Sequence, residues 1–218
     1  MNKKGIIWFD CDGVLTDQES SWNYLHKYFG SSCNYLFSQM YKKGYIDYLD
    51  WMKIDIALMI NSYGKLIERK DLENILNNIK IRESAYRVFN ILRKHFIIGI
   101  ISSGVDILVR RVCSELNSDI CLYNELRFID NILVPGGIAN VPLKEKPVII
   151  KNYSEKLGFT LDKTVYIGDS EWDIDVFKIV GLPIAIKPCN NACEYAKYVV
   201  NDLDEIIDII YSYFELNN

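Results

Sequence analysis

The run Ile6-Ile7-Trp8-Phe9-Asp10-Cys11-Asp12-Gly13-Val14-Leu15-Thr16-Asp17 constrains this chain more than any other stretch. Its apolar start predicts a strand, and Gly13 ends that strand in a turn. Asp10 and Asp12 stand two apart, so on extended backbone both carboxylates leave the same face. Like charges this close repel unless a cation lies beside them. A divalent cation resolves the repulsion, and magnesium prefers hard oxygen ligands, water and phosphate. The pattern therefore suggests Mg-assisted phosphoryl transfer at a strand end. It also fits a plain strand followed by an acidic turn, and the rest of the chain must decide between the two. Cys11 alternates to the opposite face and reads as core.

Length allows one full domain plus a substantial insertion: 218 residues, half hydrophobic and a quarter charged, can bury a sizeable core. A net charge of -4 argues against nucleic acid as a main partner. It leaves room for a small phosphorylated metabolite, because a local metal and one lysine outweigh the global field. Met1-Asn2-Lys3-Lys4 leads straight into the strand, so no secretory signal is expected, and no apolar run is long enough for a membrane span. A cytoplasmic monomer or homodimer is the expectation. The six cysteines are expected as buried thiols, since their spacing is not that of a small disulfide-stapled domain. Cys189 and Cys193 are four apart, but His26 and His95 lie far from them in sequence, which argues against zinc.

Further strands are predicted at Phe96–Ile101, Thr164–Ile167, Leu182–Ile186 and Tyr198–Val200. Helical patterns follow over Val105–Leu116, Pro147–Leu157, Trp172–Val180 and Asp202–Phe214. Alternating strands and helices imply right-handed crossovers and an α/β fold with a doubly wound, Rossmann-like parallel sheet. Ligands of such sheets sit beyond the carboxyl ends of the strands. Asp10 and Asp12, Ser102-Ser103-Gly104 and Gly168-Asp169-Ser170 each end a strand, so three polar clusters converge on one rim. The core domain is read as 1–16 and 86–218. Residues 17–85 are too many for one crossover and read as an inserted helical cap, with helices near Ser20–Phe29, Asn34–Lys43, Asp47–Asn61 and Glu68–Ile79. Arg127–Pro135, alternating around Asp130-Asn131, reads as a hairpin.

These motifs resemble those of the haloacid dehalogenase superfamily of aspartate-nucleophile phosphatases. Asp10-Cys11-Asp12-Gly13-Val14-Leu15-Thr16 matches its first motif, Ile101-Ser102-Ser103-Gly104 its second, and Gly168-Asp169-Ser170-Glu171-Trp172-Asp173 its fourth. Lys146 has the spacing of the family's phosphate-binding lysine, with Lys144 and Lys151 as rivals. The resemblance implies that Asp10 is the nucleophile and forms an aspartyl-phosphate, and that Asp12 is the acid and base. It implies that Mg²⁺ is held by Asp10, Asp12 and Asp169, and that Ser102, Ser103 and Lys146 contact phosphate. Asp173 would steer Lys146 or a metal-bound water. In a bland reading, Ser102, Ser103 or Asp106 merely caps a helix, and Asp173 complements a helix dipole.

The long insertion resembles the helical cap of the phosphoserine phosphatase-like branch. Glu19 stands where that branch meets the substrate amino group. Asp55 stands where an arginine is expected for the substrate carboxylate, and a carboxylate does not bind a carboxylate without a proton or metal. The enzyme is therefore expected to be phosphoserine phosphatase-like without strict phosphoserine specificity. The cap is rich in aromatics, among them Trp22, Tyr41, Tyr48 and Trp51, which either fill its core or a dimer contact or line a pocket for a cationic leaving group. Gln18–Ser20 and Arg82–Ser84 are the expected hinges of cap closure. Two alternatives use the same fold: a phosphotransferase to an alcohol acceptor, and a catalytically silent binding protein.

Overall fold

The structure, a computed structural model, describes residues 3–32 and 35–216. Its strands are β1 (Gly5–Phe9), β2 (Phe96–Ile101), β3 (Ile120–Leu122), β4 (Glu125–Ile129), β5 (Ile132–Ile138), β6 (Thr164–Gly168), β7 (Leu182–Ile186) and β8 (Tyr198–Val200). Six of them form one parallel sheet in the order β3-β2-β1-β6-β7-β8. The β1 side chains are fully buried and split by alternation: Ile7 and Phe9 enter one core cluster, Ile6 and Trp8 the other. A strand apolar on every position is what a sheet covered on both faces requires. The strand order reverses around β1, so the crevice at its carboxyl end is the expected ligand site.

The helices are α1 (Ser21–Phe29), α2 (Tyr35–Lys42), α3 (Tyr48–Tyr63), α4 (Arg69–Leu76), α5 (Glu83–Leu92), α6 (Asp106–Leu116), α7 (Lys146–Lys156), α8 (Ile174–Phe177) and α9 (Ile206–Tyr213). Helices α1 to α4 form the cap. Ser20 caps α1 by accepting from the Asn23 N–H, and Asp47 caps α3 by accepting from the Asp50 N–H. Gly30 and Gly64 close those two helices in left-handed geometry. The two chain connections to the cap lie side by side. Thr16 pairs with Ile81, and the Arg82 side chain donates to the carbonyls of Gly13 and Thr16.

Several features differ from the sequence expectation. Helix α5 was not anticipated, although its buried Ala85, Val88, Phe89 and Leu92 follow helical spacing. It serves as the crossover that returns the chain from the cap to β2. Strand β3 is a three-residue edge, too short to announce itself by pattern. The Trp172–Val180 helix shrinks to a 3-10 turn at Glu171–Asp173 and a single α-turn, because the loop is drawn in by Asp173. The hairpin exists and runs from Glu125 to Ile138, with left-handed Asp130 and Asn131 at its turn. It leans on the cap: Leu133 N–H donates to Ile67 O and Arg69 N–H to Asn131 O.

The cysteine expectation is corrected. Cys113 is bonded to Cys121 and Cys189 to Cys193, so four of the cysteines are disulfides and not thiols. The first pair forms because α6 and β3 run back beside each other, bringing the Cα atoms to 6.1 Å. The second closes one turn of 3-10 helix. Cys11 is a buried free thiol. Met1, Asn2, Cys33 and Asn34 lie outside the described residues. No described helix is long and apolar enough to cross a membrane.

Candidate active site

A cavity of about 450 Å³ opens between the cap and the carboxyl ends of β1, β2 and β6. Asp10, Asp12, Ser102, Ser103, Lys146 and Asp169 all line it, and so do the cap residues Glu19 and Asp55. Asp173 sits behind this wall, fully buried. The residues singled out from sequence thus meet at one place.

Lys146 holds the centre together. Its Nζ donates to Asp10 Oδ2 at 2.6 Å and to Asp173 Oδ1 at 3.2 Å, and it is only 1% exposed. Neither rival lysine does this. Lys144 Nζ donates to the carbonyls of Tyr41 and Lys42, and Lys151 faces Glu155 on the surface. Burial works against the Lys146 ammonium, but Asp10 and Asp173 outweigh it and hold its pKa above the ordinary lysine value. Asp173 is held below the usual carboxylate range: burial opposes this, and Lys146, Tyr166 and Ser170 overcome it. Its Oδ1 accepts from the Tyr166 hydroxyl at 2.5 Å, and its Oδ2 from the N–H groups of Asp169 and Ser170. One carboxylate therefore orients both the lysine and the loop that carries Asp169.

The remaining acids are under-compensated. Burial pushes Asp10 up to about 6 despite Lys146. Burial, then the charges of Asp173 and Asp10, push Asp169 up to about 9. Oxygens of Asp10, Asp169 and Asp173 lie within 4.8 Å of one another, a spacing that fits a bound cation. Gly13 permits this packing: it is left-handed at φ 72°, and a Cβ there would overlap the Asp169 carboxylate.

Asp12 is raised by burial, with Ser21 pulling the other way. The Ser21 N–H and hydroxyl donate to its Oδ2 at 2.8 and 2.6 Å, while its Oδ1 is buried with no partner. Ser21 and Tyr166 are the positioning residues that sequence reasoning missed. Ser21 carried no motif signal beyond its place after the Ser20 cap, and Tyr166 read as one more apolar strand residue. Ser102 Oγ accepts from the Gly104 N–H, which leaves its own proton for a ligand. The Ser103 hydroxyl donates to Val141 O at 2.6 Å, and its carbonyl accepts from Trp22 and Tyr48.

A family model described as haloacid dehalogenase-like hydrolase matches residues 5–181. The chain belongs to that family. Its fold is that of the family's phosphoserine phosphatase-like branch. It is 25% identical over 186 residues to a phosphoserine phosphatase of Methanocaldococcus jannaschii, covering 84% of this chain and 85% of that one. It is 24% identical, again over 186 residues, to a phosphoserine phosphatase of Mycobacterium tuberculosis. There the match covers 84% of this chain but less than half, 44%, of the relative. A solved phosphoserine phosphatase bearing a phospho-aspartyl intermediate analogue superposes with a TM-score of 0.77 at 22% identity, over 96% of this chain and all of that chain.

Proposed function

We propose that the chain hydrolyses a small phosphomonoester through an aspartyl-phosphate on Asp10. The observation that carries this is the division of labour between two carboxylates two residues apart. Burial raises both, but Asp10 is bonded to a buried ammonium, whereas Asp12 is held through one oxygen by Ser21 and keeps the other free. An Asp10 oxygen attacks phosphorus as the bond to the leaving oxygen breaks, and Asp12 donates its proton to that oxygen. Asp12, now a carboxylate, takes a proton from water, whose oxygen attacks phosphorus and breaks the Asp10–phosphoryl bond. Lys146 and Ser102 hold the equatorial phosphoryl oxygens, where the transition-state charge spreads. Ser21 keeps Asp12 from rotating away from the leaving oxygen. Cap closure over the cavity, hinged at Gln18–Ser20 and Arg82–Ser84, excludes water during the first step.

The donor set fits Mg²⁺: hard oxygens of Asp10 and Asp169 lie close together in a site with excess negative charge, and Asp12 is the further residue that the family resemblance assigns to the metal. When bound it neutralises the repulsion between phosphate and carboxylates and draws charge from the phosphoryl oxygens. Phosphate release from a panel of small phosphomonoesters, with Mg²⁺ and with a chelator, tests the reading. Release that depends on metal supports it; a panel with no turnover, or turnover indifferent to chelation, overturns the hydrolase or the metal assignment respectively.

A stability consequence follows from the raised acids. The folded protein holds protons on Asp169 and Asp10 that the unfolded chain releases above about pH 4. More protons bound in the folded state means that metal-free stability falls as pH rises from about 4 towards about 9. A cation replaces those protons. Excess Mg²⁺ is therefore expected to raise Tm more at about pH 8 than at about pH 5.5, measured by thermal melts. An equal shift at both pH values would count against these carboxylates as the ligands.

A further inference from the structure

The half of the cavity away from Asp10 is acidic and aromatic. Six carboxylates line the cavity against two lysines, Lys42 and Lys146. Both lysines already have acidic partners. Lys146 is committed to Asp10 and Asp173. Lys42 pairs with Glu171 at 2.6 Å and lies over the Trp172 ring at 5.0 Å. Asp10, Asp12 and Asp169 belong to the phosphoryl end, which leaves Asp55 on α3 and Glu19 at the mouth facing whatever alcohol the phosphate is attached to.

Asp55 is the informative one. It is 4% exposed, and its Oδ1 accepts no hydrogen bond. The nearest partner is His26 Nε2 at 3.3 Å, a contact that misses hydrogen-bond alignment. On its other side the His26 ring meets Ser31, with Nδ1 2.7 Å from Oγ. Asp55 lines the cavity, and a carboxylate in a cavity wall favours a cationic ligand over a neutral or anionic one. The walls suit the same ligand. Tyr48 lies 6.0 Å from Trp51, and Trp51 lies 6.3 Å from Trp172, giving a continuous aromatic surface. Aromatic faces attract ammonium groups, and most strongly where water is excluded. Among the described residues that line the cavity, both lysines already carry a carboxylate partner, so a carboxylate on the leaving group would have to compete for them.

We infer that the leaving group is an amino alcohol: cationic at nitrogen, free of carboxylate, and seated with its ammonium against Asp55 and the Trp51–Trp172 surface. This rests on the phosphomonoesterase reading and narrows its substrate class. It sets the chain apart from its phosphoserine phosphatase relatives, whose named substrate carries a carboxylate as well as an amine.

The test measures kcat/KM of the Mg²⁺-supplied enzyme on O-phosphoethanolamine, phosphocholine, sn-glycerol 3-phosphate and O-phosphoserine. At least one of the two amine esters is expected to exceed both glycerol 3-phosphate and phosphoserine by about tenfold or more, or about 1.4 kcal/mol. Asp55→Asn is expected to collapse the ratio of that amine ester over glycerol 3-phosphate by a similar factor. An unchanged ratio in Asp55→Asn, or glycerol 3-phosphate or phosphoserine as the best substrate, overturns the inference. If Asp55→Asn does not fold, the wild type decides: free ethanolamine or choline must inhibit p-nitrophenyl phosphate hydrolysis about tenfold more strongly than glycerol, and equal inhibition overturns the inference. Phosphate release that requires Asp10 but shows no amine preference sinks this inference alone. No Asp10-dependent release from any ester, p-nitrophenyl phosphate included, sinks the phosphatase reading with it.

Discussion

Asp10→Asn is expected to lower phosphate release by at least about a thousandfold, equivalent to about 4 kcal/mol of barrier, while the protein stays folded. An amide of the same size does not attack phosphorus, so only positioning of the ester survives. The fold tolerates the change because Asp10 is as much a burden as a partner. Its carboxylate is buried among Asp12, Asp169 and Asp173, and burial already pushes it up to about 6. Asn removes that repulsion and gives up one ion pair, and Lys146 keeps Asp173. Phosphate release and thermal melting of both proteins check the two halves. A variant that retains a tenth of the activity would assign the nucleophile elsewhere; one that melts far below the wild type would make Asp10 a structural residue.

Lys146→Met is expected to lose both activity and stability. Removing one partner of a buried ion pair leaves the other charge uncompensated and costs about 3–5 kcal/mol. Here two carboxylates are left, with Asp173 fully buried. For a chain of this length each kcal/mol is worth about 2–4 °C, so Tm should fall by about 6–20 °C. Activity should fall by at least about a hundredfold when assayed well below the melt, because the phosphoryl charge loses its fixed cation. Adding Asp173→Asn to Lys146→Met should recover part of the stability and none of the activity, which a double-mutant cycle reads directly. Recovery of both would make the lysine a mere charge balance; a single variant as stable as wild type would mean the pair contributes little.

The fold class was legible because periodicity and order speak at long range. Continuous apolar runs at Gly5–Phe9 and Phe96–Ile101 announce strands buried on both faces, and polar residues ending each strand must share a rim in a parallel sheet. Less legible were elements whose identity depends on neighbours. Strand β3 exists because β2 offers it an edge, and the first turn after β6 is 3-10 because Asp173 is pulled inward by Tyr166 and Lys146. The disulfides were misread for the same reason: Cys121 is eight positions beyond Cys113, and only the return of the chain from α6 to β3 brings their Cα atoms to 6.1 Å.

The sequence by itself determined the chemistry's raw materials: two aspartates on one face of a strand, a serine, a lysine and a third aspartate delivered to one rim. Spacing along the chain decides that, since a parallel strand aims its carboxyl end the same way each time. What only the tertiary structure decided is the division of roles and the character of the leaving-group pocket. Which lysine is buried, which Asp12 oxygen Ser21 occupies, and that Asp55 lies unsatisfied beside His26 under a wall of aromatic rings depend on contacts between residues far apart in the chain. Those contacts set local charge and dielectric, and no period in the sequence encodes either.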